Sequence, residues 1–340
     1  MSRTAFAPIF VGEGRIEHQK RNWPDPGPGQ LLIRVRANAI CGTDRHQFFE
    51  GSVAVAGHEA AGEVLVAGPG SSHPVGTRGV IFFKDYCKEC RSCREGHSSL
   101  CWNKRAMTGF DSDGGYGPYE IISETQFFPI PDDISYPLAT MLLDAMGTTG
   151  HAWNRALHGR DEITSVYIAG AGPIGLGLLV MGKIKLPADI PIYISDISAW
   201  RRDFAAQLGG IPVDARDEQA VRALAPVDVS FDSTGKKVAR QLAIDVLGHR
   251  GVFMVVGGQE GFSFEDVGTE LLPRELSILG SEYFDYNEFA ANVAILQANR
   301  AIIEKLVTHV FPIEDLDTAF ATFLSGEAGK VVVTQEGDPT

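Results

Sequence analysis

A chain of 340 residues with a net charge of −13 is long enough for two domains, each with its own core, and its acidity disfavours nucleic acid and anionic membranes as partners. Hydrophobic residues make up 44% and charged residues 21%, the balance of an ordinary soluble globular protein. The opening MSRTAFAPIF lacks a basic stretch followed by an apolar core, and apolar runs such as Ile174 to Gly182 are too short to span a bilayer, so a cytoplasmic setting is expected.

Residues 1 to about 145 read as β-rich. Gly27-Pro28-Gly29 marks a turn, and the alternation from Leu31 to Val35 predicts a strand after it. Glycine and proline then recur at short intervals (Gly51, Gly57, Gly62, Gly68-Pro69-Gly70, Gly76, Gly79), which suits many short strands. Val80 to Phe83 and Glu120 to Ile122 are further strand candidates. Of the 5 cysteines, four (Cys87, Cys90, Cys93 and Cys101) stand as C-x2-C-x2-C-x7-C. In a reducing compartment such clustering means metal more often than disulfides. Four thiolates suit a closed tetrahedral zinc site, which staples a loop and leaves no open position for chemistry. A [4Fe–4S] cluster is the main rival, but ferredoxin-type runs end in C-x3-C-P, whereas Trp102 follows the last cysteine here. Unliganded thiols are the remaining reading.

The pattern changes near Gly147. Ser165 to Ala169 reads as a short buried strand, followed by Gly170-Ala171-Gly172-Pro173-Ile174-Gly175 and an apolar helix to about Lys185. Ile192 to Ser195 is a second strand ending in Asp196, with a helix from Ala199 to Leu208 after it. Val227 to Phe231 and Val252 to Val256 are later strands, separated by a helix near Lys237 to Leu247. Strands alternating with helices predict a doubly wound parallel sheet. Helices resume at Glu288 to Arg300 and Ile313 to Leu324, and Lys330 to Thr334 closes the chain as a strand. In the glycine-rich turn, Gly170 permits the bend, Gly172 lets backbone approach a pyrophosphate, and Gly175 lets helix and strand pack closely. The helix that opens at Pro173-Ile174 offers the phosphates its positive dipole end and the free N–H groups that follow Pro173, which has none itself. Asp196, at the end of the second strand, can accept from ribose hydroxyls and would repel a 2′-phosphate, which favours NAD over NADP. Arg201 nearby can accept a 2′-phosphate, so NADP stays open.

Cys41 and His58-Glu59 both lie next to glycines, and alone prove little, since a buried histidine is more often simply hydrogen-bonded. Taken with Cys41-Gly-Thr-Asp44, the Gly57-His58-Glu59-x2-Gly62-x5-Gly68 signature, the four-cysteine lobe and the dinucleotide turn, however, the chain resembles the zinc-containing medium-chain alcohol dehydrogenases, in their polyol and L-threonine 3-dehydrogenase branch. The resemblance implies an α/β protein with a GroES-like β-rich catalytic domain (1–147 and 286–340) and a Rossmann domain (148–285). It implies that Cys41 and His58 ligate a catalytic zinc and that Glu59 is a carboxylate which sometimes joins the metal. The third ligand position corresponds to Asp144, whose other reading is the N-cap of a helix from Ala145 to Trp153. Thr43 would take the alcohol proton and His46 would pass it to solvent, since imidazole changes charge near physiological pH. Otherwise these two are a turn threonine and a surface histidine. Val256-Gly257-Gly258 would lie beside the nicotinamide, with Ser281-Glu282 following the strand Leu276 to Gly280 that pairs subunits in relatives.

The expectation is an NAD-dependent enzyme with two zinc ions per chain, oxidising a secondary alcohol (a polyol, sugar alcohol, cyclitol or amino alcohol) to a ketone, as a homodimer or homotetramer. L-threonine oxidation is the alternative substrate reading. A zinc-free quinone or enoyl reductase of the same fold usually lacks the Cys41/His58 pair and the lobe. A non-enzymic zinc module fits poorly with an intact dinucleotide turn.

Overall fold

The computed structural model describes residues 2–160 and 162–337. The chain opens with a hairpin, β1 (Arg3–Gly12) and β2 (Arg15–Trp23). Seven strands follow: β3 (Gln30–Ala39), β4 (Ala60–Ala67), β5 (Arg78–Ile81), β6 (Lys84–Asp85), β7 (Ala106–Met107), β8 (Tyr119–Ser123) and β9 (Phe127–Pro129). Next come β10 (Val166–Ala169), β11 (Ile192–Asp196), β12 (Ile211–Asp214), β13 (Val227–Asp232), β14 (Leu247–Val255) and β15 (Ser277–Gly280). β16 (Val307–Pro312) and β17 (Lys330–Thr334) end the described chain.

Strands β10 to β15 form one parallel sheet in the order β12-β11-β10-β13-β14-β15. This is the doubly wound arrangement expected from the sequence. The order reverses between β10 and β13, and in such sheets ligands sit beyond the strand ends at that point. Gly170 follows β10 there directly. The other large sheet runs β16-β17-β3-β4-β5-β9, with β8 also on β3. Its last member returns from the far end of the chain, pairing Val332 with Ala39.

The two sheets meet through helices. The helix after the glycine turn (Pro173–Lys185) packs on a π-helical turn (Asp144–Thr148) and on the α-helix that continues it (Thr149–Gly159). Contact is close because Gly177 has no side chain: a Cβ there would lie 2.4 Å from the Ala145 carbonyl. Trp153, fully buried, donates its indole N–H to the Leu178 carbonyl (2.8 Å). Asp144 is therefore not a helix N-cap. It opens a π turn, closed by Thr148 N donating to the Leu143 carbonyl (3.2 Å), and such turns cluster at functional sites.

The sequence did not announce β1, β2, β4, β6, β7, β9, β12 or β16. Expected strand ends mostly lie within a residue or two of those observed. β14 starts five residues before the expected Val252, at Leu247, and Phe82 and Phe83 leave the sheet after Ile81 to join an aromatic cluster with Tyr283 and Phe284. Among the described residues no helix is long and apolar enough to cross a membrane.

Candidate active site

Cys41 lies just past the end of β3, in a turn held by Ile40 N donating to the Val331 carbonyl and by Cys41 N donating to Asp44 Oδ2 (3.0 Å). His58 precedes β4, after Gly57 at φ 96, where a Cβ would come within 2.9 Å of Tyr116 N. The imidazole Nδ1 lies 3.1 Å from Asp44 Oδ1, and the Tyr116 hydroxyl donates to Asp44 Oδ2 (2.7 Å). Asp44, fully buried, thus accepts from Nδ1 and fixes the ring with Nε2 turned towards Cys41 and Asp144, the way carboxylates orient metal-ligating histidines. Asp44 was not singled out from sequence, although it stands inside the quoted Cys41-Gly-Thr-Asp44 stretch.

Asp144 arrives from a distant part of the chain. Its Oδ2 lies 3.1 Å from Cys41 Sγ and 3.6 Å from His58 Nε2. Cys41, His58, Glu59 and Asp144 are all buried and offer ligand atoms within 4.8 Å of one another. Burial alone would lower the His58 pKa, but the Asp44 carboxylate and the Cys41 thiol reverse that and hold it well above the usual range. Burial pushes the Cys41 thiol up, and Asp144 beside it adds to this. Burial works against the charged form of Asp144 as well, but its contact with His58 holds that carboxyl well below the ordinary range, so an ionised oxygen, a thiol and an imidazole face one another, a mixed donor set that suits a divalent cation.

Glu59 pairs with buried Lys330, which also donates to the Ile40 carbonyl (3.3 Å). Burial pushes the Glu59 carboxyl up to about 8 even against that ammonium. Its Oε2 has no partner, so one oxygen is tethered to Lys330 and the other is left open. Lys330 was missed at the sequence level; the only signal was a lysine opening an otherwise apolar terminal strand.

Thr43 Oγ1 lies 3.4 Å from His58 Nε2. His46 sits on the helix Asp44–Glu50, exposed, with Nδ1 3.6 Å from Glu50 Oε1. Its Nε2 meets Gln259 Nε2 at 2.9 Å, a contact from the loop after β14, where Gln259 holds φ 111. The sequence reading also missed this residue, which reaches His46 from 213 residues away.

At the glycine turn, Gly170 has φ 94, and a Cβ on Gly175 would stand 1.8 Å from the Gly170 carbonyl oxygen. Gly172 faces open space apart from Arg201 Nη1, 3.9 Å from where its Cβ would be. Pro173 and Ile174 open the helix. Asp196 accepts from Ala171 N (2.9 Å) and Ser198 N (2.8 Å), with Arg201 Nη1 3.9 Å from its Oδ2. Arg201 Nε is buried without a partner. An open cradle flanked by an unpaired guanidinium N–H fits a dinucleotide phosphate. Val256 N and Gly257 N donate to the Asp232 carbonyl, carrying Gly258 and Gln259 back towards Gly235 and His46. Ser281 N donates to the Val255 carbonyl, and Glu282 is engaged by Lys84 (2.6 Å) on the side of the cysteine lobe.

In that lobe, Cys87, Cys90, Cys93 and Cys101 also bring their sulfurs within 4.8 Å of one another, and all are free thiols. Backbone N–H groups point at three of them: Cys90 N at Cys87 Sγ (3.2 Å), Cys93 N at Cys90 Sγ (3.5 Å) and Cys87 N at Cys101 Sγ (3.3 Å). N–H donors aimed at sulfur stabilise thiolates, the ligating form, and burial is outweighed at Cys90 by such donors, which lower it to about 6. The donor set fits a closed four-thiolate zinc site.

Residues 27–132 match the alcohol dehydrogenase GroES-like domain, and residues 138–334 match the glucose dehydrogenase C-terminus. The L-threonine 3-dehydrogenase of Rhizobium etli (strain CIAT 652) is 32% identical over 332 residues, covering 91% of this chain and 92% of that protein. Among solved structures, L-idonate 5-dehydrogenase from Escherichia coli superposes with a TM-score of 0.83 at 24% identity, covering 98% of this chain and 99% of that one. The 2R,3R-butanediol dehydrogenase from Bacillus subtilis gives 0.84 at 23%, covering 97% and 99%. With two domain models spanning nearly its whole length and relatives aligned almost end to end, the chain belongs to the zinc-containing medium-chain alcohol dehydrogenases, and is an oxidoreductase that acts on CH–OH groups with a nicotinamide dinucleotide.

Proposed function

We propose that this enzyme oxidises secondary alcohols to ketones with NAD at a zinc held by Cys41, His58 and Asp144, and that Cys87, Cys90, Cys93 and Cys101 hold a second, structural zinc. The observation that carries the reading is the convergence of Cys41, His58 and Asp144 from three separate parts of the chain. Asp144 is favoured over Glu59 as third ligand because Lys330 already binds Glu59, leaving Glu59 as the reserve carboxylate. When bound, the zinc would supply Lewis acidity at the alcohol oxygen and the dinucleotide a hydride acceptor.

The chain's own groups do the rest. Asp44 holds the His58 ring in place. Thr43, next to His58, takes the hydroxyl proton, and exposed His46 passes it to solvent. No side-chain hydrogen bond joins Thr43 to His46 among the described residues, so the proton crosses through an intervening hydroxyl or water. Gly170, Gly172 and Gly175 admit the pyrophosphate, with Pro173 and Ile174 at the helix start. Asp196 favours an unphosphorylated ribose, with Arg201 beside it. Val256, Gly257 and Gly258 line the nicotinamide side, and Ser281 and Glu282 border the same cleft. Residues 1–147 and 286–340 form the catalytic domain, and 148–285 the nucleotide domain. Support comes from β10 to β15 all falling in the second range and β17 returning to β3. The free thiols suit a reducing, cytoplasmic setting, and subunits associate as dimers or tetramers.

The similarity to L-threonine 3-dehydrogenases favours L-threonine as a second substrate reading. Metal analysis tests the proposal. Two zincs per chain are expected, falling to one in Cys41→Ser together with loss of NADH production from alcohols. A Cys41→Ser protein that keeps both metals and its turnover refutes the ligand assignment.

A further inference from the structure

One polar group beside the metal cluster has no task in this scheme. Tyr283 is only 6% exposed, and its hydroxyl has no hydrogen-bond partner. Its backbone holds φ 55, a left-handed conformation disfavoured for a residue with a large side chain and found most often where function requires it. The segment is clamped on both sides. Glu282 is tied to Lys84, and Asp285 accepts from Ser99 N (3.0 Å) and Ser99 Oγ (2.9 Å). The ring meets Phe83 edge-on at 4.5 Å. Phe83 and Phe110 lie 5.6 and 5.2 Å from the His58 ring. Burial, then Asp144 and Glu59, push the hydroxyl pKa well up, which keeps it a neutral O–H. The Phe83 backbone pulls slightly the other way without meeting hydrogen-bond geometry. A buried hydroxyl without a partner costs stability, a strained backbone adds to that cost, and among the described residues no hydrogen bond to the hydroxyl offsets it.

We propose that the Tyr283 hydroxyl orients the substrate by hydrogen-bonding a second polar group, oxygen or nitrogen, on the carbon next to the reacting carbinol. The proposal rests on the reading of Cys41, His58 and Asp144 as the alcohol site. A phenol both donates and accepts, so a vicinal diol and a vicinal amino alcohol each satisfy it, whereas a simple alkanol leaves it orphaned. Sites built to pair a substrate's polar group discriminate strongly against analogues that lack it.

The test uses the zinc-loaded enzyme with NAD⁺ and a panel of vicinal diols and vicinal amino alcohols, each matched with the mono-alcohol lacking the second group. The wild type is expected to prefer one bifunctional class over its matched mono-alcohols by at least about tenfold in kcat/KM, and the preferred class identifies the neighbouring group. Tyr283→Phe keeps the ring and its contacts. It is expected to reduce that preference to about twofold or less, mainly through KM, with mono-alcohol turnover essentially unchanged and Tm no lower than wild type, since the variant removes an unpaired buried hydroxyl. A preference that survives Tyr283→Phe overturns the proposal, and so does an equal loss for diol, amino alcohol and mono-alcohol. If the wild type oxidises mono-alcohols as well as their bifunctional partners, the inference falls while the alcohol site stands. If it oxidises none of the panel, the alcohol-site reading falls, and the inference with it.

Discussion

Lys330 and Glu120 are both fully buried ionisable side chains, and they stand in opposite situations. Lys330 has a carboxylate partner in Glu59 and a carbonyl in Ile40. Removing one member of a buried pair strands the other charge, typically at about 3–5 kcal/mol. Lys330→Met should therefore lose stability of that order in urea unfolding above pH 8, where Glu59 is ionised in the folded wild type. Lys330→Met combined with Glu59→Gln should lose clearly less, and a double variant as unstable as the single would show that the pair is not coupled. Glu120 has no hydrogen bond at either carboxylate oxygen. It pairs with Ile33 across β3 and β8 and shares a strand face with Ile122, inside an apolar cluster that holds both. Burial, then the nearby Asp113, push its pKa well above the ordinary 4.5. The folded protein thus keeps this proton where the unfolded chain has lost it, and above pH 4.5 stability falls as pH rises towards the folded value. Glu120→Val should gain about 1–3 kcal/mol at neutral pH, and the gain should widen between pH 5 and pH 8. A gap that stays constant over that range would mean Glu120 is already charged in the fold. At this scale the sequence pointed to the candidate ligands but not to the groups packed around them. Cys41, His58 and the cysteine lobe carry local spacing, whereas Asp44, Lys330 and Gln259 matter through contacts that no local pattern encodes.

Whole elements were legible where burial writes a periodic pattern. Strands of the parallel sheet are covered on both faces, so β10, β11, β13 and much of β14 read as short apolar runs. The hairpin did not. β2 is RIEHQKRNW, mostly exposed, and its strand character comes from pairing with β1 rather than from its own residues. β12 is a short edge strand containing Pro212, which reads locally as a turn. The cysteine lobe is the reverse case, an element with two short helices and little apolar content of its own, so its order rests on the four sulfurs and on anchors to the 285–286 segment. Cys93→Ser should therefore lower the zinc content by one per chain. It should also speed tryptic cleavage at Lys88, Arg91 and Arg94, which are exposed on the lobe. Cleavage at the wild-type rate would show that the lobe holds itself without metal.

At the scale of the whole molecule, the Cys41–His58–Asp144 group and the glycine turn are brought together by the packing of Pro173–Lys185 on Asp144–Thr148, and the helix Asp44–Glu50 meets the loop after β14 through the His46–Gln259 contact. Neither sheet alone holds a complete site. The parallel sheet also has an unfinished side, since among the described residues β15 pairs only with β14 and forms the edge. Ile278 and Leu279 on it are partly exposed. An edge strand with open N–H and C=O groups is a template for another chain unless it is covered. Ser281 N donates back to the Val255 carbonyl, so by alternation the N–H of Leu279 also faces β14, while those of Ile278 and Gly280 face outward. A proline at 278 removes one outward donor and leaves the pairing with β14 in place. If subunits join along this edge, Ile278→Pro should shift the protein to a smaller oligomer in light scattering, with far-UV circular dichroism and zinc content unchanged. An unaltered mass would move the subunit contact elsewhere, and a loss of zinc or helicity would mean that the edge supports the fold of its own chain.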